Sequence, residues 1–253
     1  MVGLPNSPHA VVTGAARGIG REIALQLTRA GAVVTALGRQ GAALEELVAA
    51  GVAHSFVTAD VTDQAAVDAA IRDAAARRPI DILIANAGAA ESASFAKSDA
   101  ALFARMMDVN FMGVVHGIQA ALPSMRERPC GRIVVIASTA GLKGYAYVSA
   151  YAAAKHAVIG LVRSLALELA ATRVTVNAVC PGFTDTDLVT GSIDTIMKRT
   201  GRDRAQAITE LTKHNPQGRL VTPAEVADAV LWLCGERASA VTGQAIAVAG
   251  GEI

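Results

Sequence analysis

The sequence predicts an α/β fold, a doubly wound parallel sheet with helices on both faces, and three observations carry that expectation. Short β-branched runs alternate with Ala- and Leu-rich stretches of helical spacing along the chain, the pattern of successive βαβ units. The β-branched runs are apolar at nearly every position, as strands buried on both faces must be. Of the 253 residues, 52% are hydrophobic and 18% charged, which is ample apolar material for one large core and the opposite of a disordered composition.

In order, strands are expected at residues 10–13, 32–37, 55–58, 80–85, 132–137, 174–179 and 245–248. Helices are expected at 20–30, 65–76, 100–125, 151–170 and 223–233, where apolar residues recur at helical intervals. Right-handed crossovers between parallel strands then place helices on both faces. Residues 184–220 break this rhythm. They are polar, hold most of the late charges and precede the last helix and strand, so a substrate-covering lid is expected there. No linker, repeat or low-complexity tract appears, so residues 1–253 are read as one domain. Its dinucleotide-binding half covers about 8–130 and its catalytic and substrate half about 131–253.

A formal charge of +1 gives no general electrostatic case for nucleic acid or an anionic membrane, and neither partner is expected. No basic-then-apolar leader precedes the first strand and no apolar run reaches a bilayer's span, so a cytoplasmic protein is expected. Cys130, Cys180 and Cys234 are too scattered for a disulfide framework and read as free thiols. The five histidines (His9, His54, His116, His156, His214) show no ligand spacing, and Asp185, Asp187 and Asp194 read as a solvated loop face, so no metal site is expected.

The first strand ends in Thr13-Gly14-Ala15-Ala16-Arg17-Gly18-Ile19-Gly20, and a helical pattern starts at once. Glycines here let the backbone approach a pyrophosphate whose charge meets the helix N-terminus, a Rossmann-type dinucleotide site. An NAD site usually carries a carboxylate at the end of the second strand. Here that position reads Leu37-Gly38-Arg39, with no acid before Glu45. The planar fork of Arg39 suits a 2′-phosphate, so NADP(H) is expected ahead of NAD(H).

The fifth strand ends at Ser138, where open α/β sheets bind ligands and a hydroxyl could bond a substrate oxygen. Thirteen residues later Tyr151-Ala152-Ala153-Ala154-Lys155 opens a helical run. Tyr and Lys four apart share one helix face. A neighbouring ammonium and an oxidised nicotinamide would favour the phenolate and lower the Tyr151 pKa toward the working range.

The spacing Thr-Gly-x-x-x-Gly-x-Gly, together with the Ser138, Tyr151 and Lys155 array, resembles the short-chain dehydrogenase/reductase family from the first strand to the last. Asp60-Val61 resembles its adenine-contacting pair, and Asn86-Ala87-Gly88 its Asn-Asn-Ala-Gly motif, with Ala85 in place of the first Asn. Pro181-Gly182 resembles the turn against the nicotinamide, and Thr184 and Thr186 follow it. The resemblance implies a seven-stranded sheet of order 3-2-1-4-5-6-7. It makes Tyr151 the general acid/base, Lys155 the holder of the nicotinamide ribose and Ser138 the orienter of the carbonyl. It further implies that Asn110 holds a water linking Lys155 to solvent, that Thr186 contacts the carboxamide and that Arg17 lies near the 2′-phosphate.

The substrate pocket is expected between the segment after Gly88, residues 142–147 and the lid, with Phe183, Leu188, Ile193, Ile196 and Met197 as lining. Lys198, Arg199, Arg202, Arg204 and Lys213 could grip coenzyme A phosphates or an acidic carrier protein. Residues 214–219 and Gly250-Gly251-Glu252 resemble members acting on 3-oxoacyl and 3-hydroxyacyl thioesters, and that substrate class is expected. The alternatives are an NAD-linked alcohol, sugar or steroid-like dehydrogenase, and a non-catalytic nicotinamide sensor. The run after Tyr151 is apolar nearly all round, so a second subunit should cover its outer side. The resemblance implies a homotetramer.

Overall fold

A computed structural model describes Leu4 and residues 7–253. Seven strands form one parallel sheet in the order β3-β2-β1-β4-β5-β6-β7. They are β1 (His9–Thr13), β2 (Val33–Gly38), β3 (Ser55–Thr58), β4 (Ile82–Ala85), β5 (Gly131–Ile136), β6 (Val174–Pro181) and β7 (Ala245–Val248). The expected strands differ only by a residue or two at their ends, where hydrogen bonding rather than apolar character sets the limit.

Helices α1 (Gly18–Arg29), α2 (Gly41–Ala49) and α9 (Pro223–Cys234) cover one face. Helices α3 (Gln64–Arg77), α5 (Gly113–Arg126) and α6 (Ser149–Glu168) cover the other. Alternate side chains of each strand supply the two core layers. Val11 faces α3, α5 and α6, whereas Ala10 and Val12 face α1 and α9.

Three features differ from expectation. The run 100–125 is not one helix. It is α4 (Ala100–Met107), a π-helical turn at Asp108–Met112 and α5. Helix α2 was not expected between β2 and β3, because it is short and its weak apolar stripe is carried by Leu44 and Leu47. Residues 184–220 fold into α7 (Asp187–Thr200) and α8 (Arg204–Thr212), with Gly201 at φ 69° ending the first. Thr184 bridges Val221 in parallel and closes the base of this insertion.

On α6, Val158, Ile159 and Val162 are buried against the sheet, whereas Leu167 is 80% exposed on the opposite side. Among the described residues no helix is long and apolar enough to cross a membrane.

Candidate active site

The strand ends of β1 to β6 open onto one cleft of about 680 Å³. The loop after β1 forms its phosphate end. Gly14 and Gly18 take φ of 65° and 54°, which L side chains rarely adopt. A Cβ on Gly20 would stand 2.3 Å from the Gly14 carbonyl oxygen, so the loop can close on itself only with glycine there. Helices α3, α4, α8 and α9 are each capped by a side chain, from Asp63, Asp99, Asp203 and Thr222. Helix α1 is not. Arg17 at its N-cap offers no acceptor and its first turn has no acid, so its first amides face the cleft without a side-chain partner. This arrangement fits a pyrophosphate.

Thr13 does not line the cleft. It is buried, and its hydroxyl oxygen accepts from the Asn86 and Ala87 amides at 2.9 and 3.0 Å. The Asn86 side-chain amide returns the bond to the Thr13 carbonyl at 2.9 Å and to that of Gly14 at 3.2 Å. The pair therefore locks the β1 and β4 loops together. Asn86 itself reaches the cleft, as do Ala16, Ile19, Gly38, Val61, Ala87, Gly88, Pro181, Gly182, Thr184 and Thr186. Thr184 is buried and donates to the Gly182 carbonyl at 3.0 Å, which fixes the turn after β6. Thr186 lies against Gly18, where a Cβ would meet its methyl at 3.3 Å.

At the other rim, Arg39 is 75% exposed and stands 3.5 Å from the Asp60 carboxylate. The Thr62 amide and hydroxyl, and then the Arg39 guanidinium, hold that carboxyl below its usual range. A surface pair of this length is weak, so a phosphate can take Arg39 from it.

Ser138 begins a 3-10 turn after β5, and its oxygen accepts from the Ala140 amide at 3.1 Å. Tyr151 and Lys155 project from the first turns of α6, with the Lys155 ammonium 5.7 Å from the Tyr151 ring centroid. Lys155 is 4% exposed, and burial lowers its pKa to about 8. The lowering expected at Tyr151 depends on an oxidised nicotinamide beside it. In the chain itself burial dominates and raises the phenol above its usual range, and the Ser138 hydrogen bond offsets this only in part.

Asn110 is fully buried in the π turn. Its amide donates to the Ala89 and Met106 carbonyls at 2.9 and 3.1 Å, and its oxygen accepts from the Ala89 amide at 3.2 Å. Both side-chain hydrogens are thus committed to protein, which leaves only the amide oxygen for a water. Asn110 pins the loop after β4 beside Gly88, where a Cβ would clash with the Asn110 oxygen at 2.8 Å.

The lid departs from the expected lining. Leu188 reaches the cleft, but Phe183, Ile193, Ile196 and Met197 pack with Ala207 and Leu211 in a small core between α7 and α8. Two of the five lid cations are committed as well, since Arg202 and Lys213 both pair with Glu210, at 2.9 and 2.6 Å. The sequence reading missed Glu91 and Arg105, a 3.1 Å pair on the cleft wall. Fourteen residues separate them and no local pattern marks the contact. Among the described residues no cluster of His, Cys, Asp or Glu suits a metal.

The family model for short chain dehydrogenases matches residues 8–217. A Streptomyces coelicolor protein provisionally named a ketoacyl reductase is 39% identical over 253 residues, covering 97% of each chain. An acetoacetyl-CoA reductase of Acinetobacter is 35% identical over 249 residues, covering 96% of each. Among solved structures, a variant of actinorhodin polyketide ketoreductase with NADPH superimposes with a TM-score of 0.92 at 35% identity, over 98% of this chain and 97% of that one.

Proposed function

The chain belongs to the short chain dehydrogenase family, and from that premise we propose that it reduces a 3-oxoacyl thioester to the 3-hydroxy form with NADPH. The observation that carries this is the convergence of Ser138, Tyr151 and Lys155 at the mouth of a cleft whose far end is the uncapped α1. The relatives that reduce acetoacetyl-CoA and polyketide ketones, the latter solved with NADPH, support the substrate and cofactor classes.

The first amides of α1 would hold the pyrophosphate, Asp60 and Val61 the adenine, and Arg17 and Arg39 the 2′-phosphate. Gly88, Asn86, Ala87 and Lys155 would hold the nicotinamide ribose, with Pro181, Gly182, Thr184 and Thr186 about the ring. Bound there, the cofactor supplies the hydride.

The chain's own residues handle the oxygen and the proton. Ser138 orients the substrate carbonyl, and Tyr151 delivers its phenolic proton to the oxygen as charge develops there. A phenol pKa raised by burial keeps that proton in place at neutral pH, which suits reduction. Lys155, with a pKa near 8, is mostly charged at pH 7 and stands where it can steady the resulting phenolate. Asn110 holds the loop that supports Lys155 and, through its remaining lone pair, a water leading to solvent. The enzyme works as a homotetramer in the cytoplasm, where a second copy covers Leu167 on α6 and the three cysteines stay reduced.

The test is NADPH and NADH consumption by the purified protein with acetoacetyl thioesters and a ketone panel, repeated for Tyr151→Phe. NADPH-dependent reduction that drops by roughly 10²-fold or more in the variant is expected. Turnover of no ketone would reject the reading, and faster use of NADH would reject its cofactor half.

A further inference from the structure

Among the described residues, the cations that line the cleft are Arg17, Arg39, Arg105 and Lys155. The proposed cofactor engages Arg17 and Arg39 at its 2′-phosphate and Lys155 at its nicotinamide ribose, which leaves Arg105. The cations expected to grip an anionic substrate, Lys198, Arg199, Arg202, Arg204 and Lys213, all lie outside the cleft lining. The other charged groups on the Arg105 wall are acids, Glu91 and Asp108. They repel an anion, so an anion's place on this wall depends on Arg105.

The wall is the one against which Tyr151 packs. Arg105 precedes Met106 on α4, and Met106, Leu102 and Ala150 form a buried cluster on which both Ala89 and Tyr151 rest. Glu91 follows Ala89 by two residues, beyond the Asn86-Ala87-Gly88 loop proposed for the ribose. The two partners are held differently. The Asp99 side chain caps α4, accepting from the Leu102 amide at 2.8 Å, and Leu102 and Met106 are buried, so the backbone of Arg105 is fixed. Glu91 sits in the irregular stretch that follows β4. Its carboxylate takes the Nε and Nη2 edge of the guanidinium, at 3.4 and 3.1 Å, and leaves Nη1 without a protein acceptor among the described residues. The Arg105 and Glu91 side chains are 56% and 47% exposed, and so open a pair is weak. An anion can use the open edge of Arg105 or displace Glu91, and the planar fork suits carboxylate and phosphate alike.

We propose that Arg105 is a specificity-determining residue. It receives an anionic group of the substrate other than the reacting oxygen, a carboxylate or a phosphate, and Glu91 competes with that group for it. The inference rests on the proposed reading of the cleft as a ketone-reducing site.

The experiment measures kcat and KM in wild type, Arg105→Gln and Glu91→Gln with two pairs of ketones. Acetoacetyl-CoA and the acetoacetyl thioester of N-acetylcysteamine differ in phosphates, and acetoacetate and ethyl acetoacetate differ in a carboxylate. Both side chains are half exposed, so neither substitution removes core packing. In Arg105→Gln the anionic-over-neutral ratio of kcat/KM should fall roughly tenfold in one pair, carried by KM. In Glu91→Gln the same ratio should rise about threefold. The pair that responds identifies the anion. Opposite signs are the decisive readout, because a strut tying α4 to the loop would fail in the same direction whichever end is removed. Equal losses on all four ketones in both variants, or ratios that move in neither, would overturn the inference and leave the enzyme reading intact. Weaker NADPH binding by Arg105→Gln with unmoved ratios would assign Arg105 to the cofactor and overturn it too. A wild type that binds NADPH but reduces none of the ketones would reject the reading of the cleft and this inference with it.

Discussion

The Lys155 ammonium donates to the Ile136 carbonyl at 2.9 Å, so the cation beside Tyr151 is held by the last residue of β5, two positions before Ser138. Strand β5 thereby places two of the three reacting-end groups at once. It also keeps a buried charge with no carboxylate partner among the described residues.

That charge has a consequence for stability. The folded-state pKa near 8 lies below the ordinary value of 10.5, so below pH 8 both folded and unfolded chains hold the proton and the burial penalty is complete. Between about 8 and 10.5 the unfolded chain still binds it and the folded one does not, so this group's contribution to stability rises with pH. The penalty is about 3 kcal/mol at most. Lys155→Met should therefore unfold in urea no more readily than wild type at pH 7, and the difference between the two should shrink by pH 10. Ketone reduction by the variant should fall by roughly 10²-fold or more. A variant markedly less stable at pH 7 would contradict this account.

Arg39 carries the cofactor choice in the proposed function, and with Arg17 it is an exposed cation on the cleft. Arg39→Asp places a second carboxylate beside Asp60 and should weaken NADPH binding about 100-fold, near 2.7 kcal/mol, with NADH unchanged or tighter. Fluorescence titration of both nucleotides reads this directly, and equal losses for the two would remove Arg39 from phosphate recognition.

Gly20→Ala drives a methyl to 2.3 Å from the Gly14 carbonyl oxygen and 2.4 Å from the Asn86 amide. One neighbour is backbone and the other is fixed by two hydrogen bonds, so neither can retreat. A loss of about 3 kcal/mol is expected, with nucleotide binding abolished. Gly191→Ala on α7 meets nothing within 4 Å and should instead gain up to about 1 kcal/mol. Thermal melts of the pair test the packing argument, and similar shifts in both would defeat it.

At the end of β1 away from the cleft, His9 bonds the Arg78 carbonyl at 2.7 Å through Nδ1, so its Nε2 accepts from Thr35 at 2.8 Å. Burial lowers its pKa, because the charged ring loses its hydration there. The contribution is complete above the unfolded value of 6.5 and is lost as pH falls below it, by at most about 1.4 kcal/mol per pH unit. Urea melts at pH 7.5 and 5.5 should show wild type losing more stability on acidification than His9→Gln. Parallel losses would exclude His9 as the cause.

The seven strands, the glycine turn and the Tyr151-Lys155 pair were legible in the sequence because each is a local pattern. Strands buried on both faces read as short continuous apolar runs, a turn is built from adjacent residues, and one helical turn brings residues four apart together. The sequence by itself determined the α/β class and where the strands lie to within a residue or two. Only the tertiary structure decided the rest. The break of 100–125 into a π turn follows from where Asn110 must reach Ala89, and the packing of Ile193 and Met197 follows from α8 folding back on α7. The opposed influences on Tyr151, burial against the Ser138 hydrogen bond, depend on how much water the cleft admits. Hydrogen bonds from Lys143 and Tyr145 to Glu252 join positions more than a hundred residues apart. Desolvation and long-range contact are properties of the packed molecule, and no local sequence pattern encodes them.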